Sequence, residues 1–150
     1  MSRINIKNID NVRIIKMIYG LSYDEVTKFM DETLTAKDSE AIINIIEELP
    51  SCTSHGKQPN NWDMSLIDKE SLDALEIILY KNNFDFTLVD MTEQYDKEDS
   101  VLTDVFVKDI NNYIDSIFTL DEVLERVFEV GKDNITKFEK LFLDRTTNEL

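Results

Sequence analysis

One cysteine, one histidine and one tryptophan stand among 150 residues, with only three glycines and two prolines. A lone cysteine excludes an internal disulfide and fits a reducing compartment. Three glycines cannot build the glycine-rich loops that cradle phosphates. No apolar run approaches the roughly 20 residues that span a bilayer. The opening MSRINIKNID lacks the apolar core of a signal peptide. These features lead to the expectation of a cytoplasmic protein.

Cations are scarce as well. Sixteen Lys and Arg against 31 Asp and Glu leave a formal net charge of −15. That balance argues against direct contact with a nucleic-acid backbone, which needs clustered Lys and Arg, and against anionic membrane surfaces. It suits high solubility, and it suits a basic protein partner. The 42% hydrophobic content is enough for a real core.

The most legible stretch is Asp68 to Met91. Asp68 is a good N-cap, and Glu70 places negative charge at the positive end of the helix dipole. Leu72, Leu75, Ile78 and Leu79 recur at helical spacing. Asn82 and Asn83 then suit a helix end. Phe84, Phe86 and Leu88 alternate with polar or flanking residues, which predicts a strand with one buried face.

Around it, Arg3 to Ile9 alternates and predicts a strand. Val12, Ile15, Ile18 and Tyr19 fall at helical spacing, which predicts a helix capped by Asp10 or Asn11 and ended by Gly20. Ser22 with Glu25 has capping-box spacing, followed by Val26, Phe29 and Met30. A third helix begins near Ala36 or Lys37, with Ala41, Ile42, Ile45, Ile46 and Leu49 inward and Pro50 as its stop. Residues 51–64 have no period and read as a loop, with a further strand around Trp62 to Ile67. Residues 92–99 are acidic and read as a linker or an exposed turn. Leu102, Phe106, Ile110, Tyr113, Ile114 and Ile117 then mark a long amphipathic helix. Thr119 with Glu122 and Thr136 with Glu139 repeat the capping box around Gly131, and Leu120, Val123, Leu124, Val127 and Phe128 line the helix between them. The class is α+β: a small sheet covered by helices, then a helical C-terminal third ending in an αα-hairpin. Residues 1–92 form a small α/β domain and residues 100–150 a helical extension packed on it as one unit.

Chemistry-bearing residues are few. Cys52-x-x-His55 has metal-site spacing, but a zinc site takes about four ligands. Even with Asp63 the set is thin. No helix N-terminus stands beside Cys52 to activate its thiol. Metal, cofactor and catalytic residues are therefore all expected to be absent. Trp62 reads either as a lid on the core or as an exposed anchor. His55, Lys57, Asn60 and Trp62 make the candidate contact loop. The densest acidic run spans Asp90, Glu93, Asp96, Glu98, Asp99 and Asp104. Asp96, Glu98 and Asp99 form a candidate acidic surface, either a solvated linker or a phosphate-like face toward a basic protein. The apolar positions between Phe106 and Phe118 are wide enough for a core face plus a homodimer or partner contact.

Two resemblances accompany this reading. INIKNIDNVRIIKMIYGLSYDEVTKFMDE, residues 4–32, and KESLDALEIILYKNNFDFTLVDM, residues 69–91, resemble the C-terminal domain of the large-subunit ribosomal stalk protein. That family has a strand, an aliphatic helix ending in Gly-Leu, a short charged helix, and a final helix and strand. Gly20-Leu21 sits at the corner. The resemblance implies a binding module in place of an enzyme. The family's binding face relies on lysines, whereas here Lys16 and Lys28 stand among Asp24, Glu25, Asp31 and Glu32, so its partners are not carried over. TLDEVLERVFEVGKDNITKFEKLFLDR, residues 119–145, resembles a short helical motif at the C-termini of many bacterial proteins, rhomboid-type membrane proteins among them. The residues that carry it are Asp121, Glu122, Leu124, Gly131, Ile135, Thr136, Glu139, Phe142 and Leu143. It implies a bacterial origin and a docking hairpin.

The expected function is a non-catalytic protein–protein interaction module. The alternative is an acidic inhibitor, immunity-type or nucleic-acid-mimic protein that blocks a basic protein such as a nuclease.

Overall fold

The computed structural model describes residues 12–50, 52–57, 60–95, 97 and 99–148. The strand expected at Arg3 to Ile9 and the expected caps Asp10 and Asn11 lie outside the described residues.

Val12–Tyr19 is a strand, β1, where the spacing predicts a helix. The helix implied there by the stalk-protein resemblance is likewise replaced. The physical reason is burial on two sides. Val12, Ile14 and Ile15 are all buried, and a central strand covered on both faces loses the polar alternation that identifies strands. β1 then turns at Gly20 into the short α1, Tyr23–Lys28, which continues through a wider turn over Phe29–Thr33. α2 spans Ala36–Glu48. The expected loop contains the edge strand β2, Thr53–Gly56, and the start of β3, Trp62–Asp68. α3 spans Lys69–Lys81 and β4 spans Phe86–Asp90. α4 spans Asp104–Ile117, α5 Leu120–Val130 and α6 Lys137–Asn148. The fold is α+β.

The strands form one antiparallel sheet in the order β2-β3-β1-β4. Alternation along β1 divides the interior in two. Val12 and Ile14 join Met64 and Leu66 beneath α4, where Phe106, Ile110 and Ile114 are at most 1% exposed. Met17 and Tyr19 pack on the other side against Phe29, Ile42, Leu79 and Phe84. Each side chain fully removed from water contributes roughly 2 kcal/mol of transfer free energy.

Local signals close the helices as the spacing predicts. The Asp68 carboxylate accepts the Ser71 N–H at 3.1 Å. Asn83 ends α3 at φ 58°, in the left-handed region that asparagine tolerates. Asp38, at the start of α2, accepts hydrogen bonds from Asn82 and Lys81 at the end of α3, and these hold its carboxyl below the usual range.

Two expectations about surfaces change. Ile46 on α2 is 55% exposed instead of inward, because α2 packs mainly on α3 and leaves the sheet beside it partly open. The expected linker after β4 is partly core. The Thr92 hydroxyl accepts the Ile14 N–H at 3.0 Å and donates to Asp90 at 2.6 Å. Tyr95 is buried, donates to Asn111, and packs its ring at a tilt against Phe138, with centroids 5.2 Å apart. This segment pins the C-terminal helices to β1.

α5 and α6 form the expected hairpin around Gly131, whose φ of 89° favours glycine. Both threonines cap: Thr119 accepts the Glu122 N–H and Thr136 the Glu139 N–H, and the second pair alone completes the reciprocal box. Glu139 does more. It is fully buried and takes two hydrogen bonds from Arg126, at 3.1 and 3.2 Å, besides the Thr136 N–H at 3.0 Å. Glu139→Ala removes a buried carboxylate that accepts three hydrogen bonds and is expected to cost about 3 kcal/mol. Glu122→Ala, on an exposed box, is expected to cost less than about 1 kcal/mol. Urea unfolding of both variants checks this, and equal losses would show that the clamp carries no special weight.

Candidate functional site

β2 and β3 form a hairpin in which His55 faces Asp63 and Gly56 faces Trp62. Alternation puts Thr53, His55, Asp63, Ser65 and Ile67 on the face that also carries Ile15, Met17 and Tyr19 of β1. The last turn of α2 and the first turns of α3 roof this area incompletely. Beneath them lies a cavity of about 430 Å³, walled by Ile15, Met17, Ile46, Leu49, Leu72 and Leu75. A second cavity of about 710 Å³ opens at the strand ends, between the hairpin and α1. Its walls are Tyr23, Asp24 and Val26 on one side and Gly56, Lys57, Asn61 and Trp62 on the other. Tyr19, His55 and Asp63 line both cavities, which therefore adjoin across these three side chains.

Several contacts hold this groove in shape. The Tyr19 hydroxyl donates to the Asp63 carboxylate. Burial, and then Asp63 itself, push the Tyr19 phenol far above its ordinary value, so the phenol acts as a donor and not as a base. Asn61 accepts the Tyr19 N–H at 2.8 Å and donates to the Leu21 carbonyl at 3.4 Å, tying the hairpin turn to the end of β1. The Trp62 ring sits so close to Gly56 that a Cβ there would lie 2.5 Å from it. Lys16 lies 4.6 Å from the Trp62 ring centre, a favourable cation–π distance. Trp62 thus packs against the core while still lining the groove.

The expected contact loop is only partly gathered here. His55, Lys57 and Trp62 line the groove, and Asn60 is exposed but does not line it. Cys52 and His55 are separated, because their positions along the strand direct them to opposite faces. Cys52 is buried in the core under α4, its thiol donating to the Asp109 carbonyl at 3.3 Å. Burial pushes that thiol up to about 11. Among the described residues no three His, Cys, Asp or Glu side chains are grouped to hold a metal. In the acidic run, Asp90 is engaged by Arg13 and Thr92. Asp99 is exposed, and Asp96 and Glu98 lie outside the described residues.

Tyr19 and Tyr23 were not among the expected site residues. Placing Tyr19 on a strand would have found it, since it then shares a face with His55 and Asp63. No protein-family model, curated protein or solved structure matches this chain.

Tyr19→Phe removes the donor to a half-exposed pair and is expected to cost about 1 kcal/mol at neutral pH. Because the folded phenol titrates above the unfolded one, its contribution is complete below about pH 10 and is lost as pH rises beyond that. The variant should therefore lose stability less steeply above pH 10 than the parent, as urea unfolding at several alkaline pH values would show. Identical slopes would contradict the contact.

Proposed function

We propose that this protein is a non-catalytic protein-interaction module, and that its partner inserts a segment into the groove between the β2–β3 hairpin and α1. The observation that supports this most is the meeting of Tyr19, Tyr23 and Trp62 around one opening, with Lys57 and Asp24 on its walls. Tyrosine and tryptophan dominate binding hot spots because they bury large rigid surfaces while keeping a polar tip. Here Trp62 is already held by Gly56, Lys16 and the core, so little side-chain freedom is lost on binding. The module acts in the cytoplasm, without metal or cofactor.

A second reading keeps the alternative of an acidic inhibitor of a basic protein. The net charge of −15 favours it. The two readings differ in salt dependence, since apolar anchoring survives screening and surface charge attraction does not.

The test is capture from a lysate of the host with the purified protein, washed at low and high salt. The groove reading predicts a protein retained at high salt, and at least tenfold less of it with Trp62→Ala or Tyr23→Ala. Tyr23 is 74% exposed, so its variant keeps the fold even if the Trp62 variant does not. A partner whose capture ignores both substitutions contradicts the groove. A basic protein released by salt, and weakened by reversing Asp96, Glu98 and Asp99, supports the inhibitor reading instead.

A further inference from the structure

α5 presents two opposite faces. Val123 is fully buried. Arg126, the only cation on the helix, is drawn inward to Glu139. Outward, Phe128 is 90% exposed and Leu124 38% exposed. They lie four residues apart, which makes them neighbours on the helix surface. Asp121, Glu125 and Glu129 are exposed around them. The nearest cation in sequence is Lys132, in the turn beyond Gly131. The result is an apolar pair set in a rim of carboxylates, with the helix's own positive charge turned away.

We propose that this face docks a basic amphipathic helix of a partner protein. Apolar side chains of the partner cover Phe128 and Leu124, and its Lys or Arg residues meet Asp121, Glu125 and Glu129. Charge selects this occupant among the candidates. A second copy packed about a twofold axis would set the same carboxylates against one another. An anionic membrane surface would meet the same repulsion. A basic amphipathic helix laid against α5 satisfies both the apolar pair and its rim. This face is separate from the groove. α5 belongs to the helical layer on the Val12 and Ile14 side of the sheet, and none of its residues is among the walls of the groove. The proposal does not depend on the groove reading.

The experiment measures fluorescence anisotropy of a labelled synthetic helix with leucines on one face and lysines on the other. Phe128→Asp is the decisive variant, because it removes the apolar anchor while adding negative charge. The expected result is at least a tenfold loss of affinity with Phe128→Asp, a shallower salt dependence with Glu125→Gln and Glu129→Gln combined, and no change with Tyr23→Ala. A peptide with glutamates in place of the lysines should not bind. Affinity unchanged or raised in Phe128→Asp would mean plain charge attraction and overturn the proposal. So would sedimentation showing a dimer that Phe128→Asp dissolves. The exposed position makes misfolding of the variant avoidable, and circular dichroism verifies it.

Discussion

β1 is the element on which the two halves of the interior close. It pairs with β3 along one edge and β4 along the other, and each of its faces is covered by a different set of helices. Its even positions bind the α4 layer and its odd positions bind α1 to α3. The hydrogen bonds from Ile14 to Thr92 and from Met91 to Ile14 then fix the chain where it leaves the sheet for the C-terminal helices. A defect in β1 would therefore loosen both layers together, and the cavity beside Tyr19 as well.

The two proposed surfaces stand on that arrangement, one at the strand ends and one on α5. The groove is built on strand ends and a hairpin, so its aromatic walls stand on paired backbone. The α5 face is built on a helix held by buried Val123 and by one buried ion pair, Arg126 with Glu139. That pair also removes the one cation from the helix's outer surface. The same interaction that fixes the hairpin thus sets the charge of the face it presents. If both proposals hold, the chain carries two separate contacts, as an adaptor does.

Much of the helical part was legible because helix ends are local events. Ser22 with Glu25, Thr119 with Glu122, and Thr136 with Glu139 are read within four residues, and all three hydroxyls cap their helices. Asp68 and Asn83 bound α3 for the same reason. β1 was illegible because both its faces are buried, so apolar residues occupy positions that fit helical and strand spacing alike. β2 was hidden by its polar composition, which suits an edge strand. Of the candidate site, His55, Lys57 and Trp62 were marked by their rarity or by their place in an aperiodic stretch. Tyr19 with Asp63 pairs across 44 residues, a separation no local pattern carries. Phe128 sits on the apolar stripe of α5 by spacing, yet the structure leaves it in solvent.

Hydrogen exchange tests the central role of β1 most directly. Amides of Val12–Tyr19 that pair with β3 and β4 should exchange only through global unfolding, with a free energy equal to that from urea denaturation. They should match the amides of Ile110 and Ile114 in the α4 core. Exchange of the β1 amides orders of magnitude faster than those of α4 would contradict the account, because the two helical layers would then be held together by something other than this strand.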